Sequence, residues 1–341
     1  MMLYQMNVTV NVLLLVLTSF MLLRYLTSTS LLPFHNECDI DCIDTYFTKQ
    51  PKHNDLELIE MVREKYLMPP PSDPDTSPFD VNQPIWARLV DWNLMQDYLK
   101  SIWEGQPPGV FVEVGASDGE FLSQTLMLER NLGWSGLLVE PDPRAFTILQ
   151  QRRRRAWTTP LCVHESQPCM RKYWLRDVDD DLPKHFQQLL MARSRLQDDT
   201  LIGDEERGGT VSVSCVPLST ILLAANITSI DFLTAATGIQ DDDTRVGHVI
   251  HSKRFDVKTL LIHYSTGSLF SEPYPRVPGY ILDMEHSTLL SKLYIKRSHC
   301  QLISDGVHKQ IHQYDSVAAT LQYNCFNFLT VYTHKFIIQE N

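Results

Sequence analysis

The stretch GVFVEVGASDGE, residues 109–120, decides the fold. It begins as an apolar run broken only by Glu113, which is the pattern of a strand buried on both faces of a sheet. Gly115 ends that strand with a turn that no β-carbon obstructs. Asp118 and Gly119 extend the turn, and we expect them to lead into the N-terminus of a helix.

Outward from this stretch, apolar strands alternate with amphipathic helices. Such alternation predicts a parallel sheet with helices on both sides, that is, a doubly wound α/β domain. The predicted strands are GVFVEVG (109–115), GLLVEP (136–141), AWTTPLCVH (156–164), SIDFLTA (229–235), KTLLIHY (258–264), GYILDM (279–284) and KLYIKR (292–297). The predicted helices are WARLVDWNLMQDYLKSIW (86–103), EFLSQTLMLERN (120–131) and PRAFTILQQRRRR (143–155).

The ends of the first two strands form a candidate ligand site. Doubly wound sheets bind ligands outside the carboxyl ends of their strands, where the strand order switches. Gly115 lies at one such end, and Glu140 ends the second strand, where a carboxylate can accept hydrogen bonds from ribose hydroxyls. A purely structural interpretation stays open, in which Gly115 and Gly119 make a tight turn and Glu140 caps a local group.

Length and charge limit the function classes. The 341 residues suffice for one large domain with a stem, or for two small domains. The net charge of -11 argues against a nucleic-acid groove, which needs clustered Lys and Arg, so no nucleic-acid partner is expected. The basic run Arg152–Arg155 is interpreted as a solvated helix end, with a docking or processing site as the alternative.

The N-terminal region contains the apolar run Val8–Leu23, about 16 residues long and slightly shorter than a typical span of ~20. Residues as far as Leu26 extend it if Arg24 snorkels to the interface. We predict a retained signal anchor over residues 8–26. A cleaved signal peptide and a buried helix of a soluble domain are the alternatives.

The orientation of this anchor is not decided by its flanking charges. The first seven residues lack Lys and Arg, and Arg24 follows the apolar run, which by the positive-inside rule places the bulk of the chain in the cytosol. Asn226-Ile227-Thr228 points the other way, because this glycosylation acceptor sequence has meaning only in the lumen.

Residues 27–82 are predicted as a stem and linker. DLELIEMVREKYL (55–67) has helical apolar spacing and stops before three prolines, after which PPPSDPDTSPFD (69–80) resembles an extended spacer. The seven cysteines are odd in number, so at least one is unpaired within the chain. For Cys38 and Cys42 a disulfide, free thiols, or zinc with His35 all stay open.

Residues 109–146, GVFVEVGASDGEFLSQTLMLERNLGWSGLLVEPDPRAF, resemble the opening of an FkbM-type methyltransferase domain. LIEMVREKYLMPPPSDP (58–74) and CVPLSTILLAANITSIDFL (215–233) bring the chain closer to the Star family of membrane-anchored proteins. The similarity spans roughly Leu56–Arg297 and weakens after Asp231. It implies a Rossmann-like, methyltransferase-type sheet that binds S-adenosylmethionine. The implied cofactor-binding residues are Glu113, Gly115, Ser117, Asp118, Gly119 and Glu140.

The Star resemblance also implies an architecture and a role. It implies a short N-terminal end at 1–7, the anchor at 8–26, the stem at 27–82, the FkbM-like domain at 83–297 and an unassigned tail at 298–341. The large domain is expected in the lumen, on endoplasmic reticulum and Golgi membranes, with endosome or plasma membrane as alternatives. The implied role is to escort membrane-anchored precursors of EGF-receptor ligands, in vesicle-mediated transport from endoplasmic reticulum to Golgi.

Two departures from the FkbM pattern bear on catalysis. Where the family usually has Asp-Val-Glu-Gly after the fourth strand, this chain has Ala-Ala-Thr-Gly at residues 235–238. Near the fifth strand, Glu-His or Glu-Tyr is replaced by His263-Tyr264. Either change removes a candidate base or ligand. We therefore expect an inactive methyltransferase fold without a catalytic residue or metal site. The alternative is an active S-adenosylmethionine-dependent FkbM-type O-methyltransferase.

Other polar clusters receive structural interpretations. Residues 241–243, three aspartates, are interpreted as a solvated helix face or loop. Asp177 and Asp179 match the D-x-D metal site of a glycosyltransferase, a third alternative, but no clear strand precedes them. His248, His251 and His263 are interpreted as surface or satisfied core residues.

Overall fold

The structure is a computed structural model that describes residues 51–165, 167–197, 208–236, 242–263, 277–288 and 291–299. Within these ranges no helix is both long enough and apolar enough to cross a membrane. The predicted anchor at 8–26, the pair Cys38 and Cys42, and the chain from residue 300 onward lie outside the described residues.

Helices and strands alternate along the described chain. The strands are β1 Val110–Val114, β2 Ser135–Val139, β3 Ala156–Thr159, β4 Cys162–Val163, β5 Cys169–Arg176, β6 Arg195–Leu196, β7 Gly208–Val216, β8 Ser229–Ala235, β9 Asp256–His263, β10 Tyr280–Asp283 and β11 Ser291–Lys296. The helices are α1 Leu56–Lys65, a 3-10 turn Ile85–Arg88, α2 Val90–Trp103, α3 Leu126–Leu132, α4 Pro143–Gln151, α5 Lys184–Met191, α6 Leu218–Ala224 and α7 Asp242–Ile250.

The main sheet has seven strands in the order β10-β11-β9-β8-β1-β2-β3. Neighbours from β3 to β9 pair in parallel, whereas β11 runs antiparallel to both β9 and β10. The chain passes from β1 outward to β3 and later returns on the other side of β1 as β8. The strand order therefore switches between β1 and β8, where such sheets bind ligands. The predicted α/β fold with a parallel-rich sheet is confirmed.

Helix α2 packs its apolar stripe on the main sheet. Its buried side chains recur at helical spacing and form one cluster with Phe111 of β1 and with Trp134, which precedes β2. The ring of Trp103 meets that of Trp134 edge to face, with centroids 4.9 Å apart. These contacts fix the position of α2 over the sheet. The stripe residues are Met95, Tyr98, Leu99, Ile102 and Trp103.

A second sheet has the strand order β4-β7-β5-β6. Along the chain, its strands lie between β3 and β8, so they form an insert in the main sheet's sequence. Its strands β5 and β7 pair antiparallel along eight residues each, and a Cys162–Cys215 disulfide joins β4 to β7. The predicted single strand 156–164 is wrong, because Pro160 separates β3, which pairs with β2, from β4, which pairs with β7.

Residues 51–82 pack against the α/β fold rather than standing away from it. The predicted helix is confirmed as α1, in which Leu58 and Val62 are fully buried. The Arg63 Nε donates to the Ala224 carbonyl at 2.8 Å, which ties α1 to the end of α6. The compact unit that holds the α/β fold begins at Gln50. Residues 69–80, predicted as an extended spacer, have neither helix nor strand, and they contact Arg130, Asn131 and Arg153 of this fold.

Candidate functional site

A cavity of about 640 Å³ opens at the carboxyl ends of β1, β8 and β9, where the strand order switches. Its volume lies in the range of pockets that hold small molecules and cofactors. Besides these strand ends, the turn after β1, the start of α2 and the segment from α5 to β6 line it, together with Glu140, Tyr173 and Ser291. The lining includes Gly115, Ala236, Trp92, Met95, Leu189 and Arg193.

The turn after β1 needs glycine at two positions. Gly115 has φ of +82°, and a Cβ there would lie 2.2 Å from the carbonyl oxygen of Ala236. Gly119 has φ of +77°, and a Cβ there would lie 2.4 Å from Cδ1 of Leu149. Gly115 lines the cavity, whereas Gly119 faces α4. The backbone can therefore pass close to β8 and to α4 only because neither residue has a side chain.

Glu140 follows β2 and lies at the edge of the cavity with only 5% of its surface exposed. Its Oε2 accepts the N–H of Ser117 at 2.6 Å, and its Oε1 accepts the N–H of Asp142 at 2.7 Å. Burial, reinforced by the charge of Asp142, raises the pKa of Glu140 to about 8. Each carboxylate oxygen keeps a lone pair beyond these two bonds, so Glu140 can still accept hydrogen bonds from a ligand.

Ser117 provides the clearest sign that the cavity is shaped for a polar ligand. Its residue is 7% exposed and lines the cavity, yet its hydroxyl oxygen has no hydrogen-bond partner among the described residues. Its backbone has φ of +49°, a left-handed conformation that is uncommon outside glycine. An unpaired buried hydroxyl is costly, and a ligand hydrogen bond would remove that cost. The residues present therefore fit a ligand with polar groups, as S-adenosylmethionine has.

Glu113 lines the cavity, but its carboxylate organises the chain after the turn. Its Oε2 accepts hydrogen bonds from the hydroxyls of Ser123 at 2.8 Å and Thr125 at 2.5 Å, and its Oε1 accepts the N–H of Gln124 at 3.1 Å. Burial raises the pKa of Glu113, and the nearby Arg154 opposes that rise. Because these bonds hold residues 123–125 outside a helix, the predicted helix at 120–131 is wrong in its first half. Helix α3 begins only at Leu126.

Asp118 does not line the cavity. Its Oδ1 accepts the N–H groups of Glu120 and Phe121, and its Oδ2 accepts hydrogen bonds from Arg152 at 3.1 Å and Gln188 at 2.6 Å. Burial acts to raise the pKa of Asp118, but the hydrogen bonds outweigh it, so the pKa lies below its ordinary value. Asp118 therefore fastens the turn to α4 and α5, and the turn does not lead directly into a helix.

The basic run after α4 is not a solvated helix end. Arg154 is 2% exposed, and its Nε donates to Oε2 of Glu129 at 2.8 Å. The same guanidinium donates to the Gly119 carbonyl and, at 2.9 Å, to the hydroxyl of Thr125. Arg154 thus holds the turn in place through these hydrogen bonds, while Arg152 forms an ion pair with Asp118. This burial could not be predicted from the sequence, because charged residues are rarely buried unless paired, and the partner Glu129 lies 25 residues away.

The other end of the cavity lies beside β8 and β9. Ala236, which follows β8, lines it, and the preceding Ala235, the last residue of β8, stands where the FkbM pattern has its Asp. The Nε2 of His263 lies 3.2 Å from the hydroxyl of Thr234, and its Nδ1 lies 2.8 Å from the hydroxyl of Ser291. Burial lowers the pKa of His263 to about 4, so the imidazole is neutral at pH 7. Thr237, Gly238 and Tyr264 lie outside the described residues.

The remaining candidates lie away from the cavity lining. Asp177 and Asp179 are exposed between β5 and α5, and Asp179 accepts the N–H of Asp181 at 3.0 Å. Within the described ranges, no three His, Cys, Asp or Glu residues are grouped to hold a metal ion. His248 on α7 stacks with His53, their ring centroids 6.5 Å apart. The cluster at 241–243 begins outside the described residues.

Sequence reasoning missed the cavity walls supplied by α2 and by the inserted part. Trp92 and Met95 were expected only as members of a helical stripe, and Tyr173 and Leu189 were assigned no role. Tyr173 lines the cavity and donates its hydroxyl hydrogen bond to the Ser194 carbonyl at 3.0 Å. The alternation of Val211, Val213 and Cys215 was a usable signal for a strand, but not for a cavity wall.

Comparison with known proteins agrees with this geometry. The family profile described as methyltransferase FkbM domain matches residues 113–235, from β1 to the end of β8. No curated protein matches the chain. Among solved structures, the delta-N METTL16 MTase domain is 11% identical with a TM-score of 0.28, over 70% of this chain and 92% of that one. The chain therefore contains, over residues 113–235, a segment that matches the methyltransferase FkbM domain and folds as a methyltransferase-like α/β sheet.

Proposed function

We propose that the α/β domain binds S-adenosylmethionine in the 640 Å³ cavity. The observation that carries this proposal is the buried, unpaired hydroxyl of Ser117 beside the Glu140 carboxyl. Glu140 would hold the ribose hydroxyls, and Ser117 with the backbone of the Gly115 turn would hold polar groups of the amino-acid part. S-adenosylmethionine, when bound, supplies an electrophilic methyl group on its sulfonium.

We further propose that the domain binds this ligand without transferring its methyl group. A positioned base typically contributes about 100- to 10,000-fold to such a reaction, and it works best with a pKa near the working pH. Ala235 and Thr237, which stand at the two acid positions of the FkbM pattern, provide no base. His263, with a pKa of about 4, has little tendency to take a proton from a hydroxyl. This arrangement supports a binding role for the methyltransferase fold.

The finer proposal is a Star-like escort of membrane-anchored growth-factor precursors, with the domain in the lumen of the secretory pathway. Its support is the sequence resemblance and the Cys162–Cys215 disulfide, since disulfides persist in oxidising compartments such as the endoplasmic reticulum. In this role the protein works at the membrane and its partner is a membrane-anchored cargo. The cofactor would then stabilise the fold rather than react.

A second candidate function is an active O-methyltransferase, and the position of His263 favours it. This histidine lines the cavity, is neutral at pH 7, and is oriented by the hydroxyls of Thr234 and Ser291. A neutral imidazole has one unprotonated nitrogen that can accept a proton. In that case His263 would act as the general base, and its low pKa would limit the rate.

Calorimetric titration of the purified protein with S-adenosylmethionine tests the binding proposal. Ser117→Ala and Glu140→Ala should weaken binding, whereas Asp179→Ala, a change at an exposed acid, should not. The ribose hydroxyls are expected to bind the ionised form of Glu140, so binding of S-adenosylmethionine should release the Glu140 proton. Because the pKa of Glu140 is about 8, the Kd of the parent protein should fall about tenfold from pH 6 to pH 7. No measurable binding by the parent protein, or equal binding by all variants, would contradict the proposed site.

Labelled methyl transfer separates the two candidate functions. The parent protein is incubated with S-adenosylmethionine carrying a labelled methyl group and a panel of sugars and secreted proteins. The escort proposal expects no turnover, together with retained cargo export by Glu140→Ala in cells. Turnover that disappears in both Glu140→Ala and His263→Ala would establish the enzyme. If the folded parent protein does not export cargo in cells, the escort proposal is wrong.

A further inference from the structure

The turn between α6 and β8 presents an asparagine to solvent. Helix α6 ends at Ala224, and Asn226 follows with φ of +57°. The N–H of Asn226 donates to the Leu223 carbonyl at 3.2 Å, and the N–H of Ile227 donates to the Leu222 carbonyl at 2.8 Å. This pair of bonds is the Schellman arrangement, in which glycine or asparagine adopts the left-handed conformation. The backbone therefore accounts for asparagine at this position.

The same turn completes an acceptor sequence that the backbone does not require. Asn226 and Thr228 are both exposed, while Ile227 between them is partly buried. The contact that fixes residue 228 comes from its carbonyl, which accepts the N–H of Asp256 at 2.8 Å. The threonine side chain is therefore not needed for that backbone bond. Asn-x-Thr in an exposed turn is the pattern of an N-glycosylation acceptor.

A second observation concerns the compartment. Cys162 and Cys215 form a disulfide in the core of the inserted sheet, where their residues are 2% and 0% exposed. Structural disulfides are rare in the reducing cytosol and form in the lumen of the endoplasmic reticulum. Oligosaccharide transfer to asparagine takes place in that lumen, so the disulfide and the acceptor sequence indicate the same compartment.

We propose that Asn226 carries an N-linked oligosaccharide. In the transfer, the Asn226 side-chain nitrogen bonds to C1 of the first sugar of a polyprenyl-diphosphate-linked oligosaccharide. The bond from C1 to the diphosphate oxygen breaks, its electron pair leaves with the polyprenyl diphosphate, and the amide nitrogen loses one proton. The proposal rests on the luminal part of the proposed function but not on cofactor binding.

The glycan would lie far from the cavity. Asn226 precedes β8, whereas the cavity lies beyond the other end of the same strand, at Thr234 and Ala236. A strand rises about 3.3 Å per residue, so roughly 25 Å of chain separates the two. A glycan at Asn226 therefore leaves the cavity mouth open, and removing it should leave the affinity for S-adenosylmethionine unchanged.

Expression of the full chain in cells that perform N-glycosylation, followed by treatment with a glycosidase, tests the proposal. The Asn226 glycan should contribute a shift of one glycan to the gel mobility of the parent protein. Asn226→Gly should abolish the shift while suiting the left-handed backbone, and Thr228→Ala should abolish it without changing the asparagine. Thr228→Ser is the matched control, because it keeps the acceptor sequence and should keep the shift.

The outcomes separate this proposal from the proposed function. No shift in the parent, or a shift of equal size in the parent and in Asn226→Gly, would overturn the proposal. Protease treatment of intact microsomes then locates the domain: a protected but unmodified domain overturns the glycan alone, and an accessible domain overturns the luminal placement as well. Titration with S-adenosylmethionine is an independent readout of the cavity in every variant.

Discussion

Replacing Gly115 with alanine should destabilise the protein through a clash that can be separated from backbone strain. At φ of +82°, any residue with a Cβ is strained by about 1–2 kcal/mol. In addition, the new Cβ would lie 2.2 Å from the carbonyl oxygen of Ala236. That carbonyl must move by on the order of 1 Å to reach an acceptable contact. The N–H of the same Ala236 donates a 2.8 Å hydrogen bond to the Val114 carbonyl, so moving Ala236 strains the pairing of β1 with β8.

Crowding of this kind typically costs about 1–3 kcal/mol, which gives a total of roughly 2–5 kcal/mol for Gly115→Ala. Gly279→Ala provides a matched control. Gly279 has φ of +86°, but nothing lies within 4 Å of a Cβ added there, so only the strain applies. Urea denaturation of both variants measures the two losses. Equal losses would refute the reasoning that Gly115 is required by the closeness of β8.

Three further outcomes follow from the contacts around the site. Glu140→Gln should make the free energy of unfolding less dependent on pH. Because the pKa of Glu140 is raised to about 8 in the folded state, protonation of this carboxyl stabilises the folded parent protein at low pH. About 3 kcal/mol of that stabilisation should be lost between pH 5 and pH 8, measured as the difference in unfolding free energy between parent and variant. Arg154→Met should cost about 3 kcal/mol because it removes the closest ion pair of the buried Glu129, which keeps only Arg130 at 3.8 Å and the N–H of Arg155, whereas Arg153→Met, at an exposed pair, should cost under about 1 kcal/mol in thermal unfolding. Cys215→Ser should cost about 4 kcal/mol from the 53-residue loop that the disulfide closes, with Cys169→Ser as the comparison that keeps the bridge.

The central strands could be predicted because buried parallel strands have an unmistakable sequence pattern. The runs around Val112 and Phe232 are apolar on both faces and end at turn residues, and both lie where expected. The inserted sheet was missed because β5 contains Arg171 and Lys172 among its apolar residues, so its run gave no continuous apolar signal. The later strands β10 and β11 were also predictable from short apolar runs, whereas the adjacent charges of Arg171 and Lys172 concealed β5.

The site was predictable to the extent that it is local in sequence. Gly115, Ser117 and Glu140 come together at the cavity because consecutive parallel strands end at the same edge. The late start of α3 was not predictable, since Glu113 holds residues about ten positions further along the chain. Asp118 looked equally suited to a ligand, but its partners on α4 and α5 could be identified only from the fold.

The disulfide closes the chain of the inserted sheet into a covalent ring. Cys162 lies on β4, near the start of the inserted sheet, and Cys215 lies on the neighbouring strand β7, near its end. The ring that the disulfide between them closes comprises residues 162–215. One backbone cut anywhere between 163 and 214 opens that ring but leaves both pieces of the protein joined. The cut protein should migrate as one species on a denaturing gel and as two after thiol reduction. Proteolytic nicking of the insert and release of its fragments are therefore separate events, the second of which requires a reductant.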